Sequence, residues 1–388
     1  MIWDLGIEEL LRPVEEFGRL HAKTLRRFGV KAIDLSYPNP RCCWDERARQ
    51  LLRELACEAS LHDLQYTPFG GLTQARRNVA GALSHQLGIQ FGFRDIVLTP
   101  GATAALNVAL RVFFRRPDIV ILVAPLWMDY PVYLRNLGLP YLVVQSSPNK
   151  HLDISAIEEA WTPTVRGVII SQPACPTGVL YTEDELRALA SLLHTVGIRY
   201  GRKPILISDE VHRDLVWSGA RFISPASVYS QCLSVYSFGK AWAMQGQRVG
   251  YIALSPRMDQ REAVALSLER AMRVTGYYAP TTLMQRLASR LAGLVPDTGG
   301  LAAMQRSTRA RLAAAGYRVT PGEATPFIYV EAPSGDEARQ VSRAAERGVL
   351  VMPSSIFHES GYFRIALNVG QQELNRGVAH LGSARSGD

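Results

Sequence analysis

The residues best suited to do chemistry lie in one run, Tyr236 to Tyr251, Tyr-Ser-Phe-Gly-Lys-Ala-Trp-Ala-Met-Gln-Gly-Gln-Arg-Val-Gly-Tyr. A single lysine, Lys240, sits among small and apolar residues, with Ser237 three places before it and Arg248 eight after. Partial desolvation disfavours an ammonium and lowers its pKa, which is how a lysine becomes a Schiff-base nucleophile at neutral pH. Ser237 and Arg248 add a hydroxyl and a guanidinium, a pair suited to a phosphate because arginine presents a planar, bidentate fork. A surface lysine beside a loop arginine is the plainer reading, and the run alone does not separate the two.

Other chemically distinctive residues follow short apolar runs. Thr99-Pro-Gly-Ala-Thr103 opens a helix, whose first N–H groups with the Thr103 hydroxyl make a phosphate seat or only an ordinary capped start. Pro125-Leu-Trp127 offers an indole that can stack on a flat ring or simply fill a core. Gln172-Pro-Ala-Cys-Pro-Thr-Gly178 is a turn stiffened by two prolines. Asp209-Glu-Val-His212 places a carboxylate at a buried strand end, where it needs a partner to stay ionised. A pyridinium N–H is one such partner, and a salt bridge or helix cap is another.

These residues need a scaffold that brings strand ends together. Ile96–Leu98, Ile119–Ala124, Leu142–Gln145, Val168–Ser171, Ile205–Ser208 and Leu233–Tyr236 are short apolar runs flanked by turns. Helical patterns (Ala102–Phe114, Tyr130–Leu137, Glu183–Val196) separate most of them. The alternation predicts an α/β fold with a mostly parallel sheet covered by helices on both faces. Functional loops then sit at the carboxyl ends of the strands. After Tyr277 the pattern changes to two long helices (Pro280–Leu294, Gly300–Ala315) and short strands at Phe327–Val330, Leu350–Met352 and Tyr362–Ala366. We expect a large domain over 46–279 and a smaller α+β domain over 280–388, which the segment 1–45 joins. That segment holds an amphipathic helix within residues 1–30 and a short strand, Ile33–Tyr37, stopped by Pro38-Asn-Pro40. A second helix is expected from about Asp45 to Glu58, and Ser383–Asp388 reads as a frayed tail.

Taken together, the motifs resemble the fold-type I pyridoxal-phosphate enzymes of the aminotransferase class I/II family, over roughly residues 33–370. They occur in that family's order: Tyr66 with Gly70 and Arg76, the Gly101-Ala102-Thr103 loop, Trp127, Pro173 to Gly178, Asp209, Ser237 with Lys240 and Arg248, then Phe363-Arg364-Ile365. The resemblance implies pyridoxal 5'-phosphate as cofactor and Lys240 as its Schiff-base lysine and proton shuttle. It implies Asp209 at the pyridine nitrogen and Trp127 stacked on the ring. Gly101, Ala102, Thr103, Ser237 and Arg248 would bind the phosphate, with Tyr66 reaching in from the other subunit of a homodimer. Arg364 would grip a substrate α-carboxylate. Tyr37 and Asn39, in the early loop, are candidate substrate contacts.

The chain departs from the family pattern at several places. Cys175 stands where an Asn usually donates to the cofactor's phenolic oxygen, and a thiol is a poorer donor. Gln172-Pro173 replaces an earlier Asn-Pro, and His212 replaces a Tyr. Ser208 to Trp217 locally resembles the carbon–sulfur lyase branch, and imidazole titrates near neutrality, so His212 can be a proton donor. The resemblance implies an enzyme that transfers amino groups of an α-amino acid or derivative. β- or γ-elimination or replacement at a sulfur leaving group, in secondary metabolism, is a second reading. A non-catalytic protein that kept the fold is a third.

Composition limits the remaining classes. The chain has 388 residues, 20% charged and 47% apolar, with a net charge of +8 spread over helical arginines rather than a basic stripe with aromatics, so no nucleic-acid partner is expected. No apolar stretch suits a bilayer, so no membrane partner is expected. The N-terminus lacks a signal-peptide pattern. Five cysteines, including the adjacent Cys42 and Cys43, form neither CxxC nor zinc spacing, which points to a reducing, cytoplasmic setting and no metal.

Overall fold

The computed structural model describes residues 6–41, 45–217 and 219–385. Cys42 and Cys43 lie outside the described residues, as do the first five residues and the last three. The strands in chain order are β1 (Ile33–Asp34), β2 (Ile96–Thr99), β3 (Ile119–Ala124), β4 (Tyr141–Gln145), β5 (Val165–Ser171), β6 (Ile205–Asp209), β7 (Cys232–Ser237), β8 (Gly250–Leu254), β9 (Phe327–Glu331), β10 (Val349–Leu350), β11 (Met352–Pro353) and β12 (Tyr362–Ala366). Seven of them form one sheet in the order β2-β8-β7-β6-β5-β3-β4. From β7 to β4 every neighbour pairs in parallel, whereas β8 runs antiparallel to both β7 and β2.

The sequence dictates this sheet by near-continuous apolar strands with opposite faces buried. Val120 and Leu122 of β3 pack with Ile169, Ile207 and Val235 on one side, under the helices Ala102–Phe113 and Arg261–Thr275. Ile121, Val123, Val168 and Ile170 pack on the other side against Leu186, Leu189 and Leu193 of the helix Glu183–Arg199. Each such side chain contributes about 1.5–3 kcal/mol on full burial, so the double-faced core outweighs local propensities. Thr182 and Glu185 close a capping box that fixes where Glu183–Arg199 begins. Gly167 has no substitute in β5, since a Cβ there would lie 2.6 Å from the Ile205 carbonyl oxygen.

The C-terminal part builds a three-stranded antiparallel sheet, β11-β12-β9, and a parallel pair, β1-β10. The N-terminal segment therefore joins the C-terminal elements, and the Leu35 carbonyl accepts from Ala366 N–H at 2.7 Å. Three expectations change. β8 was not foreseen as a strand. The run Leu350–Met352 splits between two sheets at Val351, with β10 and β11 on either side. Of the expected frayed tail, residues 383–385 belong to the helix Gln371–Arg385, and the rest lies outside the described residues. The helix Thr282–Leu291 packs on Arg47–Cys57 and Thr73–Leu87, and Gln285 ties it to Leu72 N–H at 2.7 Å.

Candidate active site

Residues at and just beyond the carboxyl ends of β3, β5, β6 and β7 line one cavity of about 160 Å³: Trp127, Cys175, Asp209, His212, Ser237 and Lys240. Ala102, Thr103 and Arg248 line it as well. This is where an open, mostly parallel sheet leaves a crevice.

Lys240 stands in the short helix Phe238–Ala241 directly after β7. Burial, with help from the charges of Arg364 and Arg248 and against those of Cys175 and Asp209, brings its pKa down to about 8. A substantial fraction is thus neutral near pH 7.5, as nucleophilic attack on a carbonyl requires. Asp209 ends β6. Burial pushes its carboxyl up to about 6, opposed by a hydrogen bond from the Tyr130 hydroxyl to Oδ2 at 2.6 Å and one from Val211 N–H at 3.3 Å. An additional cationic N–H partner would hold this carboxylate ionised.

An anion seat faces them. Gly101, at φ +83°, precedes the helix Ala102–Phe113, and a Cβ there would come within 2.6 Å of Arg248 Nη2. Only glycine keeps that approach open. The Arg248 guanidinium, anchored to the Gln245 carbonyl at 2.8 Å, and the helix N-terminus thus bracket one small space. Ser237 caps the lysine helix by accepting from Gly239 N–H at 3.3 Å.

Arg364 is fully buried on β12. Its Nη2 donates to the Ser36 carbonyl at 2.7 Å, while Nε and Nη1 have no partner. The guanidinium lies over the Phe327 ring at 4.3 Å and the Phe357 ring at 4.9 Å. Burial lowers its pKa to about 10, so it remains a cation at neutrality. Two buried donors without an acceptor leave this cation with hydrogen-bonding capacity for an external anion such as a carboxylate.

The two departures also stand in this cavity. Burial raises the Cys175 thiol to about 11, so it is uncharged and at most a weak donor. His212 is buried edge-on to Phe327 at 5.5 Å, with Nδ1 unpartnered. Burial and the cations Lys240 and Arg364 press its pKa well below the usual value. The imidazole is therefore neutral, which corrects the expectation of a histidine that titrates near neutrality. Gln172 is a structural tie instead of a site residue, bonding both Tyr181 N–H and the Tyr181 carbonyl at 3.1 Å.

Two expected residues stand away from the cavity. Asn39 is exposed and lines a separate cleft with Asp45, Trp242 and Gln245. Tyr66 is 93% exposed in this chain and contacts only Tyr278 among the described ring pairs. Tyr37 sits between the two groups, near enough to feel the Arg364 charge, with its carbonyl held by Asn368 at 2.7 Å. The sequence reading missed Tyr130, whose signal is its place three residues after Trp127, and Phe327, at the start of β9.

The pattern of the family described as aminotransferase class I and II matches residues 36–381 of the sequence. The chain belongs to that family. It is 26% identical over 379 residues to a probable aspartate/prephenate aminotransferase of Aquifex aeolicus, covering 94% of this chain and 93% of that protein. A counterpart from Thermus aquaticus is 27% identical, with 94% of each covered. Among solved structures, an aminotransferase from Eubacterium rectale superposes with a TM-score of 0.90 at 24% identity, covering 95% of this chain and 94% of that one. At that identity the likeness speaks for the fold, which is the fold-type I architecture. This class I and II aminotransferase carries Cys175 and His212 in the lining of the cavity that holds Lys240 and Asp209. Among its described residues no cluster of His, Cys, Asp or Glu is arranged to hold a metal ion, and no helix is long and apolar enough to cross a membrane.

Proposed function

We propose that this enzyme is a pyridoxal-phosphate-dependent aminotransferase of an α-amino acid, with Lys240, Asp209 and Arg364 as its principal groups. The observation that carries the reading is that Lys240 and Asp209 share one cavity while Arg364, fully buried with two nitrogens unpartnered, lies near enough for its charge to act on Lys240. The other residues fit the cofactor. The cradle at Gly101, the Arg248 guanidinium and Ser237 suit a phosphate, and the Asp209 carboxylate suits a pyridine N–H. Trp127 supplies a flat apolar wall.

When bound, pyridoxal phosphate supplies an electron sink for the pair left on Cα. The protein's part is positioning and proton transfer. Lys240, with its lowered pKa, would hold the cofactor through Nζ, and the same nitrogen would be the base for the substrate's Cα proton. Asp209, steadied by Tyr130, would keep the ring nitrogen protonated. Arg364 would fix the α-carboxylate so that the Cα–H bond faces Lys240. His212 and Cys175 would offer weak, uncharged contacts near the ring edge. Exposed Tyr66 would complete the phosphate site of a second copy, which makes the working form a homodimer. Three cysteines among the described residues, Cys57, Cys175 and Cys232, are free, consistent with a cytoplasmic enzyme. We divide the chain at 45 and 279, with residues 1–45 joined to the smaller C-terminal domain.

The test is a panel of amino acids added to the cofactor-loaded enzyme, with cofactor absorbance and released keto acid followed together. Keto acid formed in equal amount to converted cofactor is expected. Release of a thiol or thioether without amino-group transfer to the cofactor would overturn the aminotransferase reading.

A further inference from the structure

Far from the cavity, the loop after β4 meets the turn before β12 through a buried ion pair. Lys150 Nζ lies 2.5 Å from Glu359 Oε1, and both side chains are nearly inaccessible. The other carboxylate oxygen accepts from the Tyr329 hydroxyl at 2.7 Å. The ammonium also sits 4.2 Å over the Tyr362 ring, which stacks on Tyr329 with centroids 5.0 Å apart. Lys150 holds a left-handed backbone, φ +68°, a conformation a lysine keeps only where its surroundings fix it. Losing either partner would leave a buried charge uncompensated.

The pair joins the two sheets at a place that matters for Arg364. Tyr329 is the cross-strand partner of Arg364, and Tyr362 lies two residues before it on β12, so all three side chains share one face. Phe327, two residues before Tyr329, continues the row beneath the guanidinium. The same turn is tied to the seven-stranded sheet by two further bonds, from Leu126 N–H to the Phe357 carbonyl at 3.0 Å and from Gln145 to the His358 carbonyl at 3.2 Å. Phe357 itself packs on Arg364. One contiguous row thus runs from Lys150 through Tyr362 and Tyr329 to Arg364.

We propose that Lys150 and Glu359 form a latch that sets the position of Arg364 over the cofactor cavity, and so act as positioning residues for substrate carboxylate binding. This rests on the reading of Arg364 as the carboxylate grip. Glu359 is the element that makes the latch strong, since it supplies the acidic half of an ion pair on a stacked aromatic floor, the one charged link between turn and loop among the described residues. When it is broken, β12 keeps its strand bonds and the turn its two hydrogen bonds, but the charged restraint is lost, and the affinity for a carboxylate falls while the chemistry at Lys240 is untouched.

The experiment compares Glu359→Gln, Lys150→Met and the double variant with the wild type, all as cofactor-loaded enzyme. Glutamine keeps an acceptor for Tyr329, and an unchanged cofactor spectrum reports an intact site. The expected result is KM for the amino acid raised about tenfold with kcat changed less than threefold, a pattern of lost binding rather than lost chemistry. The double variant should be no worse than either single, as for one shared interaction. The half-reaction of an amine lacking a carboxylate should be unchanged in all three. Equal slowing of that amine would mean general disorder and would overturn the latch, as would unchanged KM. Arg364→Lys, run alongside, separates the two ideas: if it raises KM while the latch variants do not, the grip stands and the latch falls. If Arg364→Lys leaves KM unchanged, the grip itself is wrong.

Discussion

Tyr130 donates its hydroxyl hydrogen to Asp209 Oδ2 at 2.6 Å, joining the start of the helix Tyr130–Asn136 to the end of β6 inside the core. The bond favours the ionised carboxylate against a burial that otherwise raises its pKa. Removing it with Tyr130→Phe forfeits a hydrogen bond to a charged acceptor, about 1.5–3 kcal/mol. The carboxyl then holds its proton to higher pH, so the acid limb of kcat/KM should move upward, and kcat/KM at pH 7 should fall about tenfold. A profile of kcat/KM from pH 5 to 9 checks this, and an unmoved acid limb would contradict it.

Lys240 gives a second pH dependence. Its pKa is lowered to about 8, so the reactive neutral amine is gained as pH rises through that value, well below the ordinary lysine range. The rate at which cofactor-free protein captures pyridoxal phosphate should climb between about pH 7 and 9 and then level. Stopped-flow absorbance gives the rate. A climb that continues past pH 10 would mean an ordinary, solvated lysine.

Arg364 tests carboxylate recognition. Arg364→Lys retains charge but loses the planar fork. A loss of about 2–3 kcal/mol in transition-state binding is expected, read as a 30- to 150-fold drop in kcat/KM. Cofactor affinity should stay as in the wild type.

Much of this arrangement was legible in the residues, and the reasons are local. Runs such as Ile119–Ala124 announce a strand buried on both faces, because they are short, rich in β-branched residues and flanked by turns. Arg364 was named only through the family's order of motifs, in Phe363-Arg364-Ile365. β8 did not announce itself, since Gly250–Leu254 is short and gains its identity only by lying antiparallel between β7 and β2. Asn39 was placed at the site from its neighbourhood with Tyr37, yet the proline-bounded loop turns it outward to another cleft. The pair Lys150–Glu359 has no short-range signal, because its members are 209 residues apart and meet only when the sheets pack.

Cys175 bears on the type of reaction. Buried and uncharged, with its pKa raised to about 11, it cannot replace the donation an amide side chain makes. Cys175→Asn should shift the pH at which the cofactor's absorbance changes, by roughly a unit, with kcat/KM altered about tenfold or less. Neither variant nor wild type should release a sulfur product from cystathionine as the main product. If the wild type does so, Cys175 and His212 belong to elimination chemistry.

The central claim is that Lys240 is the residue that holds the cofactor. Borohydride reduction of the loaded protein, followed by protease digestion and mass analysis, tests it in one step. The account predicts the reduced cofactor's mass on the peptide containing Lys240 alone, and its complete loss in Lys240→Ala. Label on another lysine, or label that survives Lys240→Ala, would contradict it.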